Sequence, residues 1–114
     1  RYLFVTLTVK NCPIEQLSDT IGQMNKAYEK MFRWQRLKKS VLGWSRILEY
    51  PPQKNNPSMI HPHYHCLICV STSYFRGDKD LYIKQDEWKS LWQKALNIDY
   101  VPSVDVRIIK AKKG

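Results

Sequence analysis

Apolar and polar positions change their rhythm several times along the chain, and each rhythm points to an element. Residues 2–9 (YLFVTLTV) are β-branched and aromatic, which predicts a strand. Asn11-Cys12-Pro13 then reads as a helix entry, with Pro suited to a first helical position and Glu15 close behind. Apolar residues recur at Ile14, Leu17, Ile21, Met24, Tyr28, Met31 and Leu37, predicting one long helix with a single buried stripe. Val41–Tyr50 predicts a second strand, and Pro51–Pro57 carries turn chemistry. Met59–Ser71 predicts a third strand, followed by a basic, aromatic loop over Ser73–Lys79. Trp88, Leu91, Trp92, Ala95 and Leu96 share a face of a helix from about Gln85, and Asn97 suits its end. In the last strand, Ser103–Ile109, Val104, Val106 and Ile108 share a face.

The order β-α-β-β-α-β predicts an α+β fold of the ferredoxin-like kind, an antiparallel sheet with two helices. Both helices bury their stripes on one sheet face, so the other face stays open for a ligand. No repeat, low-complexity tract or linker divides the 114 residues, which read as a single domain. No apolar run approaches the ~18 residues of a membrane span.

The third predicted strand holds every histidine of the chain, in His61-Pro62-His63-Tyr64-His65. On an unbroken strand 61, 63 and 65 share one face, while Pro62, Tyr64, Cys66, Ile68 and Val70 share the other. The second set is mainly apolar and belongs against the helices, which leaves the histidines on the open face. Imidazole is a common metal ligand, and alternate strand residues lie ~6.6 Å apart, close enough to converge on one ion. His61 and His65 are twice as far apart, so either His61 with His63 or His63 with His65 forms the pair. Glu49, ending the second strand, is the candidate third ligand, although alternation alone leaves its face undecided. Two imidazoles and a carboxylate with open positions suit Mg²⁺ or Mn²⁺.

Charge sharpens the picture. Nineteen Lys and Arg against ten Asp and Glu give a formal +9, which points to a polyanion, nucleic acid before a membrane surface. Lys26, Lys30, Arg33, Arg36, Lys38 and Lys39 cluster late in the first helical stretch, as a solvated face or a phosphate contact. Three cysteines, an odd number, suit a reducing compartment. Cys66 and Cys69 form C-x-x-C, but alternation sends them to opposite faces, so they read as buried thiols rather than zinc ligands.

His-Tyr-His followed by Cys-Leu-Ile-Cys-Val, after a strand ending Arg-Ile-Leu-Glu49, resembles the HUH endonucleases. More narrowly the chain resembles the replication initiators of Gram-positive rolling-circle plasmids. Supporting segments run from Phe4-Val-Thr-Leu-Thr8 and Gly43-Trp-Ser-Arg-Ile-Leu-Glu49 to Asp99-Tyr-Val-Pro. The resemblance implies that His63 and His65 are the metal pair, completed by Glu49 or a nearby polar group, with His61 supporting them or touching substrate. It implies Mn²⁺ or Mg²⁺ polarising a phosphate of single-stranded or hairpin origin DNA. A tyrosine then attacks, giving a 5′-phosphotyrosine and a free 3′-OH. It further implies a bacterial cytoplasmic location and host helicase and polymerase as partners. Candidate DNA contacts are Arg46, Arg76, Lys79, Arg107 and Lys110. The family's tyrosine lies on a helix after the last strand, which places the nucleophile beyond Gly114. Residues 1–114 therefore read as one origin-binding, nicking domain that stops before that helix. None of the seven tyrosines is assigned as nucleophile. Two alternatives share the pattern: a single-tyrosine transposase of the HUH type, and a non-enzymatic module binding nucleic acid in the manner of RNA-recognition motifs.

Overall fold

The alternation of residues 2–8 gives the molecule its middle strand. In the computed structural model, which describes residues 1–77 and 79–110, strand β1 (Tyr2–Thr8) is followed by a two-residue strand β2 (Cys12–Pro13). Helices α1 (Leu17–Arg33) and α2 (Gln35–Ser40) lead to β3 (Gly43–Glu49). A hairpin of β4 (Pro52–Gln53) and β5 (Asn56–Ile60) precedes β6 (His63–Cys69), and α3 (Gln85–Leu96) and β7 (Val104–Ile109) complete the order. The main sheet runs β3-β6-β1-β7, and every neighbouring pair is antiparallel. The first strand thus lies between the two that come latest, the arrangement expected of a ferredoxin-like α+β fold. Gly114, the residue beyond which the nucleophilic tyrosine is expected, lies outside the described residues.

Leu3, Val5 and Leu7 of β1 and Tyr64, Cys66 and Ile68 of β6 are buried on one side of the sheet. They meet Met24, Ala27, Tyr28 and Met31 of α1 and Trp88, Trp92 and Ala95 of α3 in one core. Trp92 anchors α3 to the end of β1 by donating its indole N–H to the Thr8 carbonyl at 2.8 Å, which satisfies the ring's one polar atom inside the core. Asn97 ends α3 in the left-handed region, with φ 56°, and its N–H reaches the carbonyls of Gln93 and Lys94. An asparagine tolerates that conformation better than most side chains. No helix among the described residues is long and apolar enough to cross a membrane.

Three expectations from periodicity are corrected. The single long helix breaks at Trp34, whose ψ of 145° is extended. On an unbroken helix Leu37, six residues past Met31, would point about 120° away from the stripe; starting a new helix after Trp34 lets Leu37 be buried. The predicted helix entry at Asn11–Pro13 is instead extended, with Cys12 pairing with Ile60 and Pro13 with Met59. The third strand divides at His61-Pro62, β5 joining the small β2-β5-β4 sheet and β6 the main one. Proline has no N–H to give a ladder, which is why the strand stops there.

Of the six cations late in the first helical stretch, Arg36 is turned inward. It donates to Glu87 at 2.6 and 3.0 Å and to the carbonyls of Asp80 and Tyr82 at 2.8 Å each. It ties α2, α3 and the connecting segment together and is no phosphate contact.

Candidate metal centre

Register decides which residues meet on the open face. Glu49 pairs directly with His63, and Ile47 with His65. The residues opposite the buried Tyr64, Cys66 and Ile68 are Leu48, Arg46 and Trp44, so Glu49 lies on the histidine side. Pattern alone leaves that open. On the other flank of β6, Thr8 pairs with His63 and Thr6 with His65.

The three side chains meet at their tips. Glu49 Oε1 lies 2.6 Å from His65 Nε2 and 3.2 Å from His63 Nε2, and the two Nε2 atoms are 3.1 Å apart. Ligands ~2.1 Å from one ion at right angles are ~3.0 Å apart, so this triangle has the dimensions of one face of a six-coordinate site. The opposite positions face outward.

Each imidazole is also oriented. His63 donates its Nδ1–H to the carbonyl of His61 at 3.1 Å. A carbonyl only accepts, so neutral His63 keeps its lone pair at Nε2. Thr6 Oγ1 lies 3.3 Å from His65 Nδ1, leaving Nε2 as the atom turned to the triangle. A hydrogen bond to the distal ring nitrogen is the usual way a protein fixes a ligating histidine. Three lone-pair atoms at this spacing repel unless a proton or a cation lies among them. The donor set therefore fits a divalent ion. The two neighbouring imidazoles, His63 foremost and then His65, hold the Glu49 carboxyl below the usual carboxylate range.

His61 stands apart. Its Nδ1–H donates to Asn11 Oδ1 at 2.5 Å, and its own N–H pairs with the Pro51 carbonyl. Burial, followed by the nearby His63, pushes its imidazole below the ordinary range. Of the two pairings left open by spacing, the structure converges His63 with His65. His61 contributes its backbone oxygen, because the break at Pro62 removes it from the sheet.

The candidate DNA contacts divide. Arg76, Lys79, Arg107 and Lys110 are exposed, and Arg107 is on the open face opposite Phe4, within 2.9 Å of Asp105. Arg46 is a correction. It lies on the helix side with its guanidinium 4.3 Å from the Tyr28 ring, 4.7 Å from Tyr64 and 5.5 Å from Trp44, and its position opposite buried Cys66 explains why. Cys66 is buried there too, and burial pushes its thiol up to about 12. Cys69 is on the opposite face and only half-buried, which corrects the reading of it as a buried thiol. Among the described residues the cluster able to hold a metal is Glu49, His63 and His65, without a cysteine.

Sequence reasoning missed Thr6 and Asn11, which meet His65 and His61. Their roles depend on cross-strand register, which periodicity does not carry.

A family model described as "Replication protein", Rep_1, matches residues 1–114. The chain is 42% identical over 110 residues to "Protein rep" of Streptococcus pneumoniae serotype 2, covering 96% of this chain and 34% of that protein. It is 43% identical to "Protein rep" of a Bacillus species, covering 97% and 35%. It is 34% identical to "Replication protein" of Staphylococcus aureus, covering 98% and 47%. The chain thus spans about a third to a half of the length of these relatives. With the whole chain matched, it belongs to the Rep_1 family of replication proteins.

Proposed function

We propose that the chain is the metal-dependent nicking and joining domain of a plasmid rolling-circle replication initiator, acting on one strand at a specific origin site. The observation that carries this reading is the triangle of Glu49 Oε1, His63 Nε2 and His65 Nε2, with edges of 2.6 to 3.2 Å on an open sheet face. Single-stranded or hairpin origin DNA is the substrate, and host helicase and polymerase are the partners that unwind and extend it.

Glu49, His63 and His65 would hold Mn²⁺ or Mg²⁺, which supplies Lewis-acid polarisation of a phosphate oxygen when bound. The His61 carbonyl fixes the tautomer of His63, and Thr6 orients the His65 ring. Arg107 and Lys110 supply positive charge to the backbone of the strand lying on the sheet.

In the proposed reaction a tyrosine oxygen attacks phosphorus and loses its proton. The bond from phosphorus to the 3′ oxygen breaks, and that oxygen leaves as a protonated 3′-OH. Reversal rejoins the strand. None of the seven tyrosines of these residues is assigned as the attacker. Tyr28, Tyr64 and Tyr74 are buried in the core, and the Tyr100 hydroxyl accepts a hydrogen bond from the Lys10 N–H.

Calorimetric titration with Mn²⁺ tests the ligand set. His63→Ala, His65→Ala and Glu49→Ala are expected to weaken binding by about tenfold or more, in line with the loss of a metal ligand or its support, and His61→Ala by less. Retained affinity in His65→Ala, or complete loss in His61→Ala, would move the site elsewhere.

A further inference from the structure

Beyond the metal cluster, the open face changes character along β1. Thr8 and Thr6 lie beside the histidines, and then come Phe4 and Tyr2, aromatic and 36% and 46% exposed. On a strand these are about 6.6 and 13 Å beyond Thr6. Leu67 and Ile109 flank the two rings on β6 and β7, each about two-fifths exposed.

Three observations point to one occupant. First, Phe4 stacks on His65, with ring centroids 5.4 Å apart and planes at 25°, so the aromatic surface is continuous with the cluster. Second, cations frame this end. Arg107 stands opposite Phe4, and Lys110 follows β7. Third, Phe4, Tyr2, Leu67 and Ile109 form one contiguous exposed apolar patch, and such patches mark interaction sites. A surface apolar at its centre and positive at its edges matches a single nucleic-acid strand, whose bases are apolar on their faces and whose backbone is anionic.

We propose that Phe4 and Tyr2 form a base-stacking subsite for unpaired nucleotides adjacent to the phosphate at the Glu49–His63–His65 cluster. The inference rests on the nucleic-acid reading above, yet stacking needs no metal. Duplex DNA cannot use it, because paired bases are already stacked on each other. The subsite therefore selects single-stranded over double-stranded substrate and does so with little sequence preference.

The test is fluorescence anisotropy with a labelled single-stranded oligonucleotide and its duplex, in EDTA, on the 114-residue chain. Phe4→Ala and Tyr2→Ala are each expected to weaken single-strand binding about 5- to 100-fold, leaving duplex binding and the salt slope unchanged. Phe4→Trp should bind as wild type, while Phe4→Leu, apolar without a π face, should resemble Phe4→Ala. Circular dichroism melting checks that each variant is folded. Wild-type single-strand affinity in Phe4→Leu and Tyr2→Ala, or equal losses for single strand and duplex, would overturn the proposal. A separate Mn²⁺ titration on wild type keeps the two readings apart. If no Mn²⁺ binds while the ring effects hold, the metal reading fails and the stacking subsite stands.

Discussion

The two faces of β6 handle positive charge in opposite ways. On the packed face Arg46 brings its own cation and lodges it among the rings of Tyr28, Trp44 and Tyr64. One of its two terminal nitrogens is buried without a partner among the described residues, and the other reaches Asn25 at 3.4 Å. Tyr64 donates to the same Asn25 oxygen. On the open face, His63 and His65, one residue before and one after Tyr64, join Glu49 in directing lone pairs at one point. The packed side uses the weak, diffuse attraction of π faces, tolerant of geometry and useful for holding a core together. The open side uses directional lone pairs, which stabilise little until a cation arrives. The packed face serves stability, and under the proposed reading the open face serves binding, so substitutions should separate the two properties.

The largest effect is expected on the packed face. Trp92→Ala removes a fully buried indole and its bond to Thr8, and should cost about 3–5 kcal/mol in urea unfolding. His65→Ala, although β6 has a partner strand on each side, should cost much less than that in the same experiment without metal. Equal losses would erase the contrast between the faces.

Arg46→Ala sharpens it. Losing the guanidinium from three rings should cost about 1–3 kcal/mol of stability, through cation–π contact and packing together. It should leave the salt dependence of single-strand binding intact. Arg107→Ala should do the reverse, with stability unchanged and the slope of log affinity against log salt reduced by ~0.7. A reduced slope in Arg46→Ala would return that residue to the DNA surface.

The smallest effect concerns a region belonging to neither face. The hydrogen bond from Arg36 holds the Glu87 carboxyl below the usual range. A carboxylate lowered in the folded state stabilises above its unfolded pKa, and that contribution is lost as pH falls through the folded value. Glu87 is 39% exposed, so the pair is worth no more than about 1 kcal/mol. Melting temperatures of wild type and Glu87→Gln should differ at pH 7 and converge as the pH falls through and below the usual carboxylate range. A constant gap would mean that the pair acts through packing alone.

Much of this is legible in the sequence. Alternation marks Tyr64, Cys66 and Ile68 as core and His63 and His65 as the open side, because side-chain parity survives in any strand. The stripe from Leu17 to Met31 marks α1 for the same kind of reason. What escapes depends on breaks and register. Pro62 is visible, but that it begins β6 late and detaches His61 follows from which sheet each half joins. Likewise periodicity counts Leu37 on the stripe, and only the extended Trp34 shows that a new helix buries it. The side taken by Glu49 needs its pairing with His63, and Arg46 misleads because a cation on a strand suggests solvent until its parity is counted.

Chain connectivity around the cluster carries a consequence for folding kinetics. Glu49 and His63 are only 14 residues apart, and His65 follows on the same strand, so one hairpin contains the whole donor set. Thr6, which steadies His65, is 59 residues away. Closing the short hairpin costs little chain entropy, while bringing β1 alongside costs more. A divalent ion that binds this set has most of its ligands before the central strand arrives. It would act on the early, local step of folding, raising the refolding rate as well as slowing unfolding.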